Sequence, residues 1–345
     1  ENIRGGLMTG IDASLRWAPN EAPALHADFD FEKASVRYHA TLPPLLDAVG
    51  HGTLDGRLAE LSQAVVPVTV QVAANDESAG LDALDRGGAA PGGVSQAALV
   101  PPWTPQGGTA PTLTLKANPD VPGLRLSATV TSGRILPRQG GALDVAGSSF
   151  TIPDTGVKNG PGEAELRVSA EVTSLLSMLN EPPFGIMDIA DLPVDFAQGN
   201  ALAIGRIVLP MQDQVQYEEI DFDVSARITG FETDELIPDQ RLTAAALDLV
   251  ADPALVSATG DVRVGDLPAS VTWRQPIGTE PGPGSVTGTA EISQLTVDTF
   301  DIGLPDGTVS GQGTADFTLD MPKGAPPVLT AQSDLAGVKA ITIRP

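Results

Sequence analysis

The sequence predicts an all-β protein built from an elongated antiparallel sheet, with one short helix near residues 174–180. Apolar and polar residues alternate with a period of two in many short runs, as expected of strands with one buried face. The runs are punctuated by 37 glycines and 30 prolines, the residues that favour turns. No apolar period of 3.6 residues extends over ten positions, so long helices are not expected.

The clearest alternation lies in residues 220–228, where Ile220, Phe222, Val224 and Ile228 share one strand face and acidic or polar residues share the other. Because side chains point alternately to the two faces of a strand, this run has one apolar side. The same pattern recurs at Leu113 and Leu115, Leu124 and Leu126, Leu166 and Val168, Ala245, Leu247 and Leu249, Val262 and Val264, Val271 and Trp273, and Phe317 and Leu319.

Turns, a helix and a loop interrupt these runs. Asn159-Gly160 and Asp306-Gly307 are typical hairpin turns. Thr173 or Ser174 can cap the short helix, which the prolines at 182 and 183 would end. Residues 76–108 are rich in Ala, Gly, Pro and Asp and are expected to form a long mobile loop. Residues 1–345 are otherwise interpreted as a single segment.

The composition excludes several classes of protein. Apolar residues make up 41% of the chain and aromatic residues 4%, so the buried surface is mainly aliphatic. A formal net charge of −24 disfavours binding to nucleic acid and to anionic membrane surfaces. The chain has no cysteine, no run of 18 apolar residues and no signal peptide, and it begins with Glu1. We expect an internal piece of a larger protein.

The apolar face of the sheet must be covered, and helices are too scarce to cover it. The sheet could pack on itself as a sandwich or barrel, or it could curl into a groove whose interior is filled by another molecule. Periodicity alone does not separate these outcomes. A structural or adhesive β-sandwich with a dry core therefore remains an alternative, and so does a carbohydrate-active enzyme on a β scaffold.

No catalytic or metal-binding constellation is recognised, and we expect neither enzymatic activity nor a cofactor. His26, Asp28 and Asp30 share one strand face, but a third or fourth ligand at a known spacing is missing. The Asp- and Gly-rich stretch 298–313 lacks the ligand spacing of a calcium loop. The three histidines accompany no Gly-x-Ser-x-Gly motif. The solitary Trp103 is interpreted as a loop anchor.

Four stretches resemble the AsmA-like proteins of Gram-negative envelopes, especially the YhdP branch related to TamB. They are FDFEKASVRYHATLPP (29–44), LRVSAEVTSLLSMLNEPP (166–183), GRIVLPM (205–211) and GDVRVGDLPASVTW (260–273). They occur in the order that the family shows and together span about residues 20–280. Their patterns are those of strands and turns, so the resemblance depends on order rather than on a catalytic signature.

The resemblance implies a protein anchored in the inner membrane, with a long periplasmic groove of the β-taco type that carries phospholipid toward the outer membrane. Its partners would be phospholipid acyl chains and, through parts outside this chain, the membranes. No catalytic residues are carried over. The residues expected to line the groove are Phe29, Phe31, Leu113, Leu115, Leu124, Leu126, Leu166, Val168, Ile220, Phe222, Val224, Ile228, Leu247, Leu249, Val262, Val264, Val271, Trp273, Phe317 and Leu319.

Overall fold

The computed structural model describes residues 3–16, 18, 21–37, 42–58, 123–182, 184–190, 192–212, 215–278, 282–304, 307–322 and 324–340. The predicted loop at 76–108 and the predicted groove residues Leu113 and Leu115 lie outside these ranges. Within them, the chain is dominated by β-strands, as the alternation predicts.

The strands follow one another along the chain with short connections. In chain order they are β1 (Ile3–Arg16), β2 (Ala24–Val36), β3 (Leu45–Arg57), β4 (Arg125–Ile135), β5 (Leu143–Asp144), β6 (Ser149–Ile152), β7 (Pro161–Glu171), β8 (Gln198–Pro210), β9 (Asp221–Ile237), β10 (Gln240–Ala251), β11 (Leu255–Val264), β12 (Leu267–Pro276), β13 (Gly284–Ile292), β14 (Val309–Gly311), β15 (Gly313–Met321), β16 (Val328–Gln332) and β17 (Val338–Ala340).

One antiparallel sheet of 15 strands contains almost all of them. Its strand order is β1-β2-β3-β4-β5-β7-β8-β9-β10-β11-β12-β13-β15-β16, and β6 pairs with both β4 and β7. β14 and β17 form a separate two-stranded sheet. The predicted fold class, one long curled antiparallel sheet with little helix, is confirmed.

In the described ranges, three short α-helices accompany the sheet: α1 (Val172–Leu179), α2 (Ile186–Ala190) and α3 (Gln294–Thr299). α1 is the predicted helix, and it begins directly after β7. α2 and α3 were not predicted, because each is too short to show a helical period. At the start of α3, the backbone N–H of Ser293 donates to the Thr296 hydroxyl. Thr296 thus takes the place of the glutamate that is usual in a Ser-x-x-Glu capping box.

Most of the buried core lies at the end of the sheet that carries α1. One cluster contains Val172 of α1, Ala197, and residues of β9, β10 and β11. A second contains Leu143, Val145, Val168 and Ala170, from β5, β7 and the turn between β5 and β6. Each cluster takes its strand residues from neighbouring strands, so neither is a core between two facing sheets.

A line of irregularities crosses the sheet next to this core. Register shifts occur near the start of β1, the end of β2, the start of β3 and the starts of β8 and β10. Lys33, Asp47 and Gly230 have positive φ angles at the corresponding positions. Because a bulge bends its strand and increases the twist, bulges at the same level in neighbouring strands produce a crease that runs across them. The sheet therefore bends about an axis that runs across the strands.

Candidate functional site: the apolar face of the sheet

A continuous row of apolar residues crosses the sheet from β7 to β16. Each member lies directly opposite the next in the strand register, so all of them share one face. We call this row the central lane. It consists of Val168, Ala203, Ala226, Leu249, Ala258, Trp273, Val286, Leu319 and Leu329.

A second row on the same face crosses the sheet from β2 to β9. We call it the phenylalanine lane, and its members are Phe29, Gly52, Ala128, Phe150, Ala164, Ile207 and Phe222. Because Ala164 and Val168 lie four residues apart in β7, both lanes belong to the same face. Between them the apolar face extends from β2 to β16.

On this face, aromatic rings lie over glycines of the neighbouring strand. A Cβ added at Gly52 would collide with the ring of Phe29, and one at Gly50 would collide with the ring of Phe31. A Cβ at Gly162 would lie 2.9 Å from Cζ of Phe150. The rings therefore lie on the backbone of the adjacent strand instead of standing away from the sheet. Phe29 and Phe31 remain partly exposed in this arrangement.

The predicted groove residues that the structure describes divide into two sets. Val168, Ile220, Leu247, Val262 and Val264 are buried. Partial exposure remains at Phe29, Phe31, Leu124, Leu126, Leu166, Phe222, Val224, Ile228, Leu249, Val271, Trp273, Phe317 and Leu319. Leu124 and Ile220 lie outside the strands, next to β4 and β9. The predicted alternation is wrong at Ala245, which is exposed while Ala244 is buried, because β10 changes register between Thr243 and Leu247.

α1 covers the apolar face at the crease. Leu175 and Met178 pack against the cluster that contains Val168, and Leu176 packs against the cluster that contains Leu247 and Val262. The central lane from Ala226 onward contributes no residue to either cluster. The covered part of the face is therefore the margin near α1, and the central lane beyond β8 is its open part.

Several members of the lanes were not singled out from the sequence. Ala203, Ala258 and Gly52 are small, so they contribute little to an apolar pattern. The alternation Ala201, Ala203, Gly205, Ile207 in β8 is a signal that could have identified this strand. Leu329 lies in a strand of only five residues, too short for periodicity to identify.

The opposite face of the sheet is mainly polar, although Leu202, Ile204 and Val250 are exposed on it. A row of threonines crosses five neighbouring strands there: Thr259, Thr272, Thr287, Thr318 and Thr330. The hydroxyls of Thr259 and Thr272 lie 3.2 Å apart. β-branched side chains opposite one another favour strand pairing, so the row stabilises the sheet without contributing to the apolar face.

Histidines and aspartates alternate on this polar face of β2 and β3. His26 contacts Asp55 through Nδ1 and lies 2.8 Å from Asp28 through Nε2. His51 lies 3.0 Å from Asp30 through Nδ1. Two hydrogen bonds raise the pKa of His26 above its ordinary value of 6.5. The bond to Asp55 has the larger effect and the bond to Asp28 the smaller one. Among the described residues, no group of three or more His, Asp or Glu side chains is arranged to hold a metal ion.

An open depression of about 470 Å³ lies between β10 and β13. Its lining includes Thr243, Asp261, Arg263, Ser270 and Thr289. Ser270 donates a hydrogen bond to Asp261 at 2.5 Å, so these polar groups satisfy one another. The depression belongs mainly to the polar face and is separate from the lanes.

Searches of family models, characterised proteins and solved structures found no match to this chain. The family thus remains a prediction from the sequence. No helix in the described ranges has both the length and the apolar character needed to cross a bilayer.

Proposed function

We propose that the apolar face binds the acyl chains of phospholipids and lets them move along the lanes, as a segment of a periplasmic protein that transfers lipid between the inner and outer membranes. The observation that carries this proposal is the central lane, an uninterrupted apolar row across neighbouring strands of one sheet. The resemblance to the AsmA-like proteins supports the same function.

The dimensions of the lane suit an acyl chain. The central lane has eight strand-to-strand steps from Val168 to Leu329, and at about 4.8 Å per step it measures roughly 38 Å. One acyl chain spans about 15 Å, half of the hydrocarbon core of a bilayer. The lane is longer than a single chain, so a bound chain can shift along it and stay on apolar surface.

The chemistry of the lane favours binding without a fixed position. Its members are mainly Ala, Val and Leu, which offer no polar group to fix one lipid in one place. Each buried methylene contributes about 0.8 kcal/mol, so partial burial of a chain suffices for binding. The net charge of −24 gives anionic head groups no general attraction to the protein, and the head groups remain in water.

Two substitutions in β9 test the proposal. Val224 lies on the apolar face, opposite Gly205, and Ser225 lies beside it on the polar face. We expect Val224→Asp to abolish recovery of copurified phospholipid in native mass spectrometry, because a carboxylate on the apolar face between the two lanes must be desolvated by an acyl chain. Ser225→Asp adds the same charge to the same strand and is expected to leave recovery unchanged. Equal recovery from the two variants, or none from the unmodified chain, would contradict the proposal.

A further inference from the structure

α1 occupies apolar surface of the kind that an acyl chain would need. Leu175 and Met178 pack against the cluster around Val168, the first residue of the central lane. Leu176 packs against the cluster around Leu247, which lies one apolar row from Leu249 of the same lane. The helix thus covers the start of the lane, and the surface beneath it is unavailable to a ligand while it stays there.

The other side of α1 is polar and contains unpaired groups. Ser174 and Ser177 are buried and face the loop that follows β4. The hydroxyl of Ser174 has no hydrogen-bond partner, and neither does Oε2 of Glu181, just beyond the helix. Buried polar atoms without partners destabilise the state that buries them, and exposure to water would relieve that cost. The closed position of α1 is therefore disfavoured by its own polar side.

Three contacts with the loop at 136–142 hold α1 down. The backbone N–H of Gln139 donates to the Ser177 hydroxyl at 3.0 Å. Gly140 approaches Ser174 so closely that an added Cβ would lie 2.8 Å from Cα of Ser174. Arg138 Nε lies 2.9 Å from Glu181 Oε1, and the arginine side chain is 79% exposed while the glutamate is 4% exposed. The ion pair is open to water on one side only.

The segment that carries α1 leaves the sheet and rejoins it at neighbouring positions. It leaves β7 after Glu171 and returns at β8, and Glu171 pairs directly with Asn200. Its two ends, Val172 and Ala197, are buried in the same cluster and form fixed points. α1 has eight residues and no side-chain cap, so tertiary contacts and not intrinsic helix stability hold it in place.

We propose that α1 is a lid over the start of the central lane, latched by the loop at 136–142, and that α1 and an acyl chain compete for the same apolar surface. This inference rests on the proposed function. Opening exposes the buried oxygens of Ser174 and Glu181 to water, and the acyl chain replaces Leu175 and Met178 on the face. The lid regulates how many acyl chains the lane holds.

An engineered disulfide tests the lid. The chain contains no cysteine, so Gln139→Cys with Ser177→Cys introduces one possible intramolecular pair. The 3.0 Å contact between these two residues is compatible with the Cα separation that a disulfide requires. The full chain, oxidised or reduced, is mixed with phosphatidylcholine vesicles, recovered, and examined by native mass spectrometry for phospholipid per chain. We expect oxidation to lower the maximal loading by about one acyl chain per protein, because the surface beneath α1 stays covered while the lane beyond β8 remains available and one acyl chain spans about 15 Å.

A second variant opens the latch. Arg138→Ala removes the partner of Glu181 and is expected to increase the loading rate by roughly three- to tenfold, since 1.4 kcal/mol corresponds to a factor of ten. Arg227→Ala removes a surface ion pair with Asp248 on the polar face and is the matched control, expected to have no effect. Equal loading of oxidised and reduced protein would overturn the lid and leave the proposed function intact. Absence of phospholipid from every form would overturn the proposed function and the lid with it.

Discussion

The ring of Phe29 lies on the backbone of Gly52 in the neighbouring strand, in space that a Cβ at Gly52 would occupy. The pairing keeps an aromatic side chain flat against a face that would otherwise be rough. It also shields the glycine from water and compensates for the weak strand preference of that residue.

Adding a methyl group at Gly52 should displace this ring. We expect Gly52→Ala to lower the free energy of unfolding by roughly 1–3 kcal/mol, the usual cost of overpacking, measured by urea denaturation. Gly5→Ala is the control, because nothing lies within 4 Å of an added Cβ there. In a Phe29→Ala background the cost of Gly52→Ala should disappear. If that cost persists without the ring, the two residues are not coupled.

Buried and exposed residues of the apolar face should respond differently to truncation. Leu267 is 2% exposed and Leu329 is 65% exposed. We expect Leu267→Ala to cost about 2–5 kcal/mol of unfolding free energy, because it leaves a cavity. Leu329→Ala should change stability by no more than about 0.5 kcal/mol. Similar losses in urea denaturation would mean that the edge of the central lane is packed after all.

The raised pKa of His26 makes the β2–β3 pair sensitive to pH. Because the folded-state pKa exceeds the ordinary value of 6.5, the protonated imidazole stabilises the fold fully below pH 6.5. That contribution is lost as the pH rises through the folded-state pKa. The urea midpoint of the unmodified chain should therefore exceed that of His26→Gln at low pH, and the difference should vanish at high pH. A difference independent of pH would contradict the assignment.

Trp273 is a natural probe of the central lane. It lies on the apolar face between Ala258 and Val286. In a chain with Trp17→Phe and Trp103→Phe, we expect phospholipids with a spin label on the acyl chain to quench the fluorescence of Trp273. Moving the indole to the polar face with Thr272→Trp and Trp273→Phe should abolish quenching. Equal quenching at both positions would place the lipid elsewhere.

Sequence periodicity predicted the strands and the shared apolar side because a period of two determines side-chain direction directly. The run from Phe222 to Ile228 illustrates this, since its side assignment agrees with the register of β8 and β10. Periodicity failed where a bulge intervened, as at Ala245, because a single extra residue reverses the side of every residue beyond it.

The pairing of strands into lanes could not be predicted from the sequence. It depends on the register with which neighbouring strands pair. In addition, small residues of the lanes such as Ala203 and Gly52 do not stand out in an apolar pattern. The packing of α1 on the apolar face could not be predicted either. Leu175, Leu176 and Met178 indicate an amphipathic helix, but they do not show which surface the helix packs against. These features require the register of the whole sheet.

The strand order of the large sheet follows the order of the chain, so nearly every pairing joins consecutive segments. A hairpin could be inserted or deleted at a turn without altering any other pairing, and each one would lengthen or shorten the sheet by roughly 10 Å. The reach of such a protein is thus encoded by the number of hairpins, which gene duplication can adjust one unit at a time.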